Sequence, residues 1–266
     1  MTEDAHAHTS YSDGAGLPRM VDAAANAGLD AIGFTDHCGV GRARREERLL
    51  WNRNFDQTYE RRREALAVAA DRAPELTVYD GVEMDYAPEA AATIESFLET
   101  AGFDYAIGSI HYVDGRHAFP FEDFGDASNE ERDAFVDAYY DAVVSLAESE
   151  LFDVLGHVDL IEDHPALRGR TTEAHRRRVA AACAETGTVP EINAGRTGDR
   201  GEFDDLHPAL PFVETFRDHG VGFVVGTDAH APDDFTGRLD RLDRFLETTG
   251  IEPLPLVAVV GEAASQ

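Results

Sequence analysis

Two histidines separated by one residue, His6 and His8, follow Asp4 in the opening run Asp4-Ala5-His6-Ala7-His8. In an extended strand, residues i and i+2 point to the same side, so both imidazoles can reach one cation. The same spacing recurs late in the chain, where Asp228 and His230 flank Ala229. Between these pairs, more nitrogen and carboxylate ligands stand at or just beyond the ends of short apolar runs. They are Asp13, His37 in Thr35-Asp36-His37, Glu83 in Val82-Glu83-Met84-Asp85, His111 after Ser109-Ile110, and His157 before Val158-Asp159, with Glu191 and Asn193 closing a sixth run. A single histidine in such a place is more often a hydrogen-bonded pocket residue than a ligand. Six of the eleven histidines at such ends are hard to explain by packing. Imidazole and carboxylate without thiolate suit Zn, Mn or Fe, and fit neither calcium nor a structural zinc held by four thiolates. Glu83 is the natural carboxylate to bridge two ions. The remaining His117, His164, His175, His207 and His219 carry no such pattern and are expected to be solvated or to cap helices. Asp4, Asp36, Asp85 and Asp159 either orient histidine ligands or belong to the acidic surface.

Something must bring these residues together, since they span most of the chain. Apolar runs with β character are predicted at 4–8, 31–34, 76–82, 105–110, 154–158, 189–192 and 221–225. Amphipathic helical patterns are predicted at 16–27, 59–72, 89–100, 130–148, 173–185, 209–217 and 240–248. Strands alternating with helices imply a parallel sheet of βα units. Seven units favour a closed or nearly closed barrel over an open sheet, and 266 residues suit one such barrel. No repeat or low-complexity linker marks a boundary, so residues 1–266 read as a single domain. The C-terminal ends of barrel strands converge on one face, and the ligands would converge there too. Two long connections, 38–56 with Arg42, Arg44, Arg45, Arg48 and Trp51, and 112–129 with Arg116, His117, Phe119, Phe121 and Phe124, would wall a substrate pocket.

The chain carries 52 acidic residues against 23 basic ones, every basic residue being arginine, for a net charge of −29. The acids are spread along the whole chain. Such a surface repels itself in dilute salt, and near 1 M salt the Debye length falls to ~3 Å and the repulsion largely vanishes. Adaptation to a salt-rich interior is the expected cause, and nucleic acid is a poor partner for this surface. No apolar stretch approaches the ~20 residues that span a bilayer, and Met1-Thr2-Glu3-Asp4 has neither a basic nor an apolar leader region. The expected location is the cytoplasm, with no membrane partner. Cys38 and Cys183 form no CxxC pair and suggest no disulfide framework; Cys183 reads as helix core, and Cys38 adjoins the candidate site.

The run DAHAHTSYSDG resembles the opening motif of the PHP (polymerase and histidinol phosphatase) family, and FTDH, GVEMDY, GSIHY, GHVDL, EIN and GTDAH resemble its later motifs in order. The resemblance extends from Asp4 to about Gly237 and implies a distorted (β/α)7 barrel with a trinuclear metal site. Carried over residue by residue, it implies one metal at His6, His8, Glu83 and Asp228. Glu83 would bridge to a second held by His111 and His157, and Asp13, His37 and His230 would hold a third. Two or three divalent ions (Zn, Mn or Fe) are implied as cofactors, activating water and neutralising charge on a phosphoryl group. Within the family the chain is most similar to the histidinol-phosphatase branch, through LHPALPFVETFRDHGVGFVVGTDAHAPDDFTG. That implies a small phosphate ester as substrate, L-histidinol phosphate foremost, with another phosphomonoester or a nucleotide phosphodiester as the alternative. Two departures bear on phosphate binding. Glu162-Asp163 stand where the branch has a basic pair, and Arg196 follows the EIN motif at short spacing. Arg196 is the first candidate for a bidentate phosphate contact, with Arg168, Arg170, Arg42 and Arg44 as replacements; Asp228 is the candidate acid for the leaving group. Amidohydrolase barrels also open with HxH but often bridge their metals with a carboxylated lysine, which this chain lacks. A non-catalytic module would be expected to lose ligands, and all nine positions are filled.

Overall fold

The computed structural model describes residues 1–41, 45–50, 54–119, 124–196 and 206–260. Among them, seven strands of one main sheet alternate with seven helices. β1 (Glu3–Ala7) leads to α1 (Leu17–Asn26), β2 (Ala31–Phe34) to α2 (Phe55–Ala70), and β3 (Thr77–Asp85) to α3 (Ala91–Ala101). β4 (Tyr105–Ser109) leads to α4 (Asn129–Glu148), β5 (Val154–Leu155) to α5 (Glu173–Thr186), β6 (Val189–Asn193) to α6 (Leu210–Asp218), and β7 (Val224–Gly226) to α7 (Asp234–Thr249). These strands pair in parallel and in sequential order. The ring closes at its C-terminal rim, where Asp228 N–H donates to His6 O (2.7 Å) and His8 N–H to Ala229 O (2.9 Å). The predicted seven-unit α/β barrel is therefore present, made irregular by a two-residue β5.

The strands are apolar because both faces are covered. Inside the barrel, Tyr105 packs with Ala5, Ile107, Val154 and Val224, and Leu256 and Val259 close the lower end. The Tyr105 hydroxyl donates to Ala5 O at 2.5 Å. A Cβ on Gly33 would lie 1.7 Å from that hydroxyl, so only glycine fits there. Outside, α4 lays Phe135, Val136, Tyr139, Tyr140, Val143 and Leu146 against the sheet, an i, i+3/i+4 stripe. Each such burial contributes about 1.5–3 kcal/mol before entropy is counted. The helix begins where Ser128 and Glu131 form a reciprocal capping box, and α5 begins in the same way at Thr172 and His175.

Several boundaries differ from expectation for physical reasons. β5 stops at Leu155 instead of running to Val158, because His157 N–H donates to the Glu191 carboxylate (2.7 Å) and leaves the ladder. α7 begins at Asp234, six residues early: Asp234 Oδ2 accepts from His230 and Ala231 N–H, and Phe235 and Leu239 extend the buried face. The first long connection carries a short strand, His37–Cys38, which sets His37 beside Glu83 of β3, and a six-residue helix, Arg45–Leu50. The second carries a hairpin of Tyr112–Val113 and Arg116–His117, turning at Asp114 (φ 51°) and Gly115 (φ 75°) as a two-residue loop with both central φ positive requires. Arg42, Arg44, Trp51 and Phe121 lie outside the described residues. No described helix is long and apolar enough to cross a membrane.

Candidate metal centre

All nine residues singled out as ligands meet at the C-terminal rim. His6 ends in a fully buried imidazole, and one residue past β1 the His8 ring is buried beside it, their Nε2 atoms 3.0 Å apart. Asp228 reaches the same point: Oδ1 lies 3.1 Å from His8 Nε2 and 3.8 Å from His6 Nε2. Asp228 sits at φ 55°, a left-handed conformation that aspartate tolerates better than most residues and that turns its carboxylate inward.

Glu83 is the hub. Its Oε2 lies 3.6 Å from His6 Nε2, 3.7 Å from His8 Nε2 and 2.5 Å from His37 Nδ1. Its Oε1 lies 2.8 Å from His157 Nε2 and 3.5 Å from His111 Nε2, and accepts from Ser109 Oγ at 2.7 Å. On the outer side, Asp13 Oδ1 stands 3.7 Å from His37 Nε2 and 3.3 Å from His230 Nε2. Among the described residues, ligand atoms close enough to share one ion fall into three groups: His6, His8 and Asp228; His37, Glu83 and His111; and His8, Asp13, His37 and His230. This division differs from the expected one in three ways: His8 and His37 each serve two groups, Glu83 falls with His37 and His111 and not with His6, His8 and Asp228, and His157 falls in none.

Several acids that sequence reasoning left undecided hold these rings in place. His6 Nδ1 donates to Glu191 Oε2 (2.9 Å), which leaves Nε2 to face the centre. Glu191 also accepts from Asn193 Nδ2 (3.0 Å), so the EIN run is an orienting device. A Cβ on Gly226 would come within 2.7 Å of Glu191 Oε2 and 2.6 Å of His6 Cβ, so the pair needs glycine across from it. His111 Nδ1 donates to Asp85 (2.5 Å), and Asp4 accepts from Thr227 N–H (2.9 Å) at the barrel seam. Asp36 accepts from Thr9 N–H and Oγ1 (both 2.8 Å) and from Ser12 Oγ (2.7 Å), pinning the turn between His8 and Asp13. Glu191→Gln is expected to weaken metal binding ~10–100-fold, the usual effect of losing a carboxylate behind a ligating histidine. Titration against a competing chelator measures this, and wild-type affinity would contradict the role.

The electrostatics suit a cation. Burial raises the cost of charge on Glu83 and Asp228, yet the imidazoles of His37, His6 and His111 around Glu83, and of His6, His8 and His230 around Asp228, hold both carboxyls well below their usual range. Burial opposes charge on His37 too, but Glu83 and Asp13 raise it to about 10. His8 is pushed down to about 4 by burial and by His230 and His37. Anionic carboxylates thus converge with nitrogen lone pairs in a water-poor space, and protons or divalent ions must fill it. Among the described residues, His8 Nδ1 and His157 Nδ1 are buried with no hydrogen-bond partner, which leaves these two imidazoles incompletely satisfied by protein groups alone. The residues present therefore fit a cluster of divalent ions.

Six of the nine, Asp13, His37, His111, His157, Asp228 and His230, line a cavity of about 280 Å³ together with Cys38, Arg48, His117 and Phe119. Arg196, the first candidate for phosphate contact, does not line it. Its Nη2 donates to Asp159 Oδ1 (2.8 Å), its Nε lies 3.1 Å from Asp163 Oδ1, and it is 5% exposed. Burial disfavours the Asp159 charge, but Arg196 and His207 more than offset this and hold its carboxyl far below the usual range. Arg196 is thus held in an internal ion pair with Asp159 and Asp163 and lines a separate cavity of about 250 Å³. Of the replacements, Arg168 donates to the carbonyls of Glu162 and Asp163, and Arg170 bonds Asp133 and Asn129 at the surface. His207, expected in solvent or at a cap, is buried in the same cluster, whereas His175 does cap α5.

A family model described as the PHP domain matches residues 4–194. The chain is 33% identical over 233 residues to a Deinococcus radiodurans protein named probable histidinol-phosphatase, a match covering 86% of each. Its fold is similar to the crystal structure of a histidinol phosphate phosphatase from Lactococcus lactis subsp. lactis, complexed with zinc, L-histidinol and phosphate. The TM-score is 0.76 at 20% identity, with 95% of each chain covered.

Proposed function

Because the chain belongs to the PHP-domain family, we propose that it is a metal-dependent phosphomonoester hydrolase that converts L-histidinol phosphate and water to L-histidinol and phosphate. One observation carries this reading: eight imidazole and carboxylate side chains gather with Glu83 at the barrel rim, and six of the nine line a cavity of about 280 Å³. The 33% identical relative named for this activity supports the substrate. Zinc is the first choice of metal, since the L. lactis structure holds it, with Mn and Fe as alternatives for the same ligand set. When bound, two or three such ions supply a water of lowered pKa and polarise the phosphoryl oxygens.

The chain's own residues do the rest. Glu191 and Asp85 fix the rings of His6 and His111 so that their free nitrogens face the cavity. Glu83 holds five imidazoles at fixed positions, which spares reorganisation during the reaction. Asp228, 18% exposed at its side chain and bordering the cavity, is the proposed acid for the leaving group; with its carboxyl held well below the usual range, it would serve by relaying a proton from water to the alkoxide. The test is phosphate release from L-histidinol phosphate by zinc-loaded protein at high salt, with nucleotide phosphodiesters in parallel. Release from the monoester that stops on chelation is expected. No release, or preferential cleavage of the diesters, would contradict the assignment.

The charge of −29 bears on how the assay is run. Between 0.1 M and 1 M salt the Debye length falls from ~10 Å to ~3 Å, which removes most of the repulsion among exposed acids. The thermal midpoint is therefore expected to rise steeply with KCl over that range. A flat or falling midpoint would remove salt adaptation as the reason for the acidic surface.

A further inference from the structure

Arg196 is held by Asp159 and Asp163 and lines a cavity other than the one the metal ligands border. Among the described residues, the arginine lining the 280 Å³ cavity with His37, His111 and Asp228 is Arg48. It sits half-buried on the short helix Arg45–Leu50, whereas Arg168 and Arg196 line a different cavity. Its Nη2 donates to Gly41 O (2.9 Å), anchoring the side chain along the backbone that follows His37. Its Nη1 lies close over Gly39: a Cβ there would come within 3.2 Å of Nη1 and 3.5 Å of Asp85 Oδ2. Arg48 also lines a second cavity of about 510 Å³, beyond Asp85 and His111, so its guanidinium stands where the two spaces adjoin.

We propose that Arg48 is an arginine that binds the phosphoryl oxygens of the substrate. The proposal rests on the phosphatase reading above. A phosphoryl group over the metal ligands lies in the same cavity as this guanidinium, whose planar fork matches two phosphate oxygens. Gly39 leaves the guanidinium room to approach. The chemistry is recognition of a phosphate monoester dianion, with no covalent step at Arg48.

Zinc-loaded wild type, Arg48→Ala and Arg48→Lys are compared, with inorganic phosphate as a competitive inhibitor and zinc content measured by elemental analysis. Losing a charge-assisted, bidentate contact is expected to raise both the phosphate Ki and the substrate KM by at least ~10-fold in Arg48→Ala, with zinc content unchanged. Arg48→Lys, which keeps the charge without the fork, is expected to fall between, and methylguanidinium is expected to recover part of the phosphate affinity of Arg48→Ala. A phosphate Ki in Arg48→Ala within about twofold of wild type would overturn the assignment. So would loss of zinc in parallel with loss of phosphate affinity. Active wild type with an unaffected Arg48→Ala defeats this inference alone, whereas wild type that releases no phosphate from any monoester defeats the phosphatase reading beneath it.

Discussion

Replacing Glu83 by glutamine is expected to lower turnover on the order of a thousandfold, since the several kcal/mol of charge stabilisation supplied by the ions fall at about 1.36 kcal/mol per decade. The side chain keeps its size, so the barrel should fold. What changes is charge and ligation. Glu83 has carboxylate oxygens within 3.7 Å of five imidazoles, and among the described residues no other carboxylate stands this near so many of them. A neutral amide offers one acceptor oxygen and an NH₂ that points donors at ligand nitrogens. His37, raised to about 10 by Glu83 after burial has opposed it, loses its main counter-charge. Zinc content and the zinc-dependent gain in thermal midpoint should fall along with turnover. Full zinc loading with wild-type turnover in Glu83→Gln would show that the ions do not share this carboxylate.

The second large effect is expected at Arg62, which lies beside the site and touches no candidate ligand. Its side chain is wholly buried. Nη1 donates to Phe34 O (2.8 Å) and Asp36 Oδ2 (3.0 Å), Nη2 donates to Gly81 O (2.5 Å) and Asp80 Oδ1, and the guanidinium stands 4.5 Å from the Phe55 ring centroid. Arg62→Met fills much of the volume but leaves Asp36 buried without its cation, a change that costs about 3–5 kcal/mol when one partner of a buried pair is removed. Burial alone would raise Asp36; Arg62, His8 and the hydroxyls of Ser12 and Thr9 hold it below its usual range. Because Asp36 pins the turn between His8 and Asp13, any folded Arg62→Met should also bind zinc less tightly on that side. Denaturant unfolding at high salt measures the first effect; a stability within about 0.5 kcal/mol of wild type would contradict it.

The barrel was legible in the sequence because parallel strands covered on both faces read as unbroken apolar runs, and the seven runs around 31–34, 105–109 and their fellows stand out between amphipathic helices. Strand ends were less legible. Nothing in Val154–Val158 announces that the backbone turns away at His157 to meet Glu191. The ligands stood out because i, i+2 spacing and strand-end position are local properties. Their partners did not, because Asp36, Asp85 and Glu191 differ from surface acids only in what folds against them, and an acid-rich composition hides such residues. The partners of Arg196 were hidden for the same reason: Asp159 and Asp163, more than thirty residues earlier, decide where its guanidinium goes. Arg48 carried no motif at all, and only the path of the first long connection brings it to the cavity.

The most direct test is anomalous scattering at the zinc edge from crystals of zinc-loaded protein. The predicted result is at least two peaks at the barrel rim, ~3.5–4 Å apart and ~2.0–2.2 Å from their histidine and carboxylate ligands, with Glu83 between them and His6 and His8 on one. A single peak there, no peak, or zinc bound only to surface acids would contradict a multinuclear centre opened by His6 and His8.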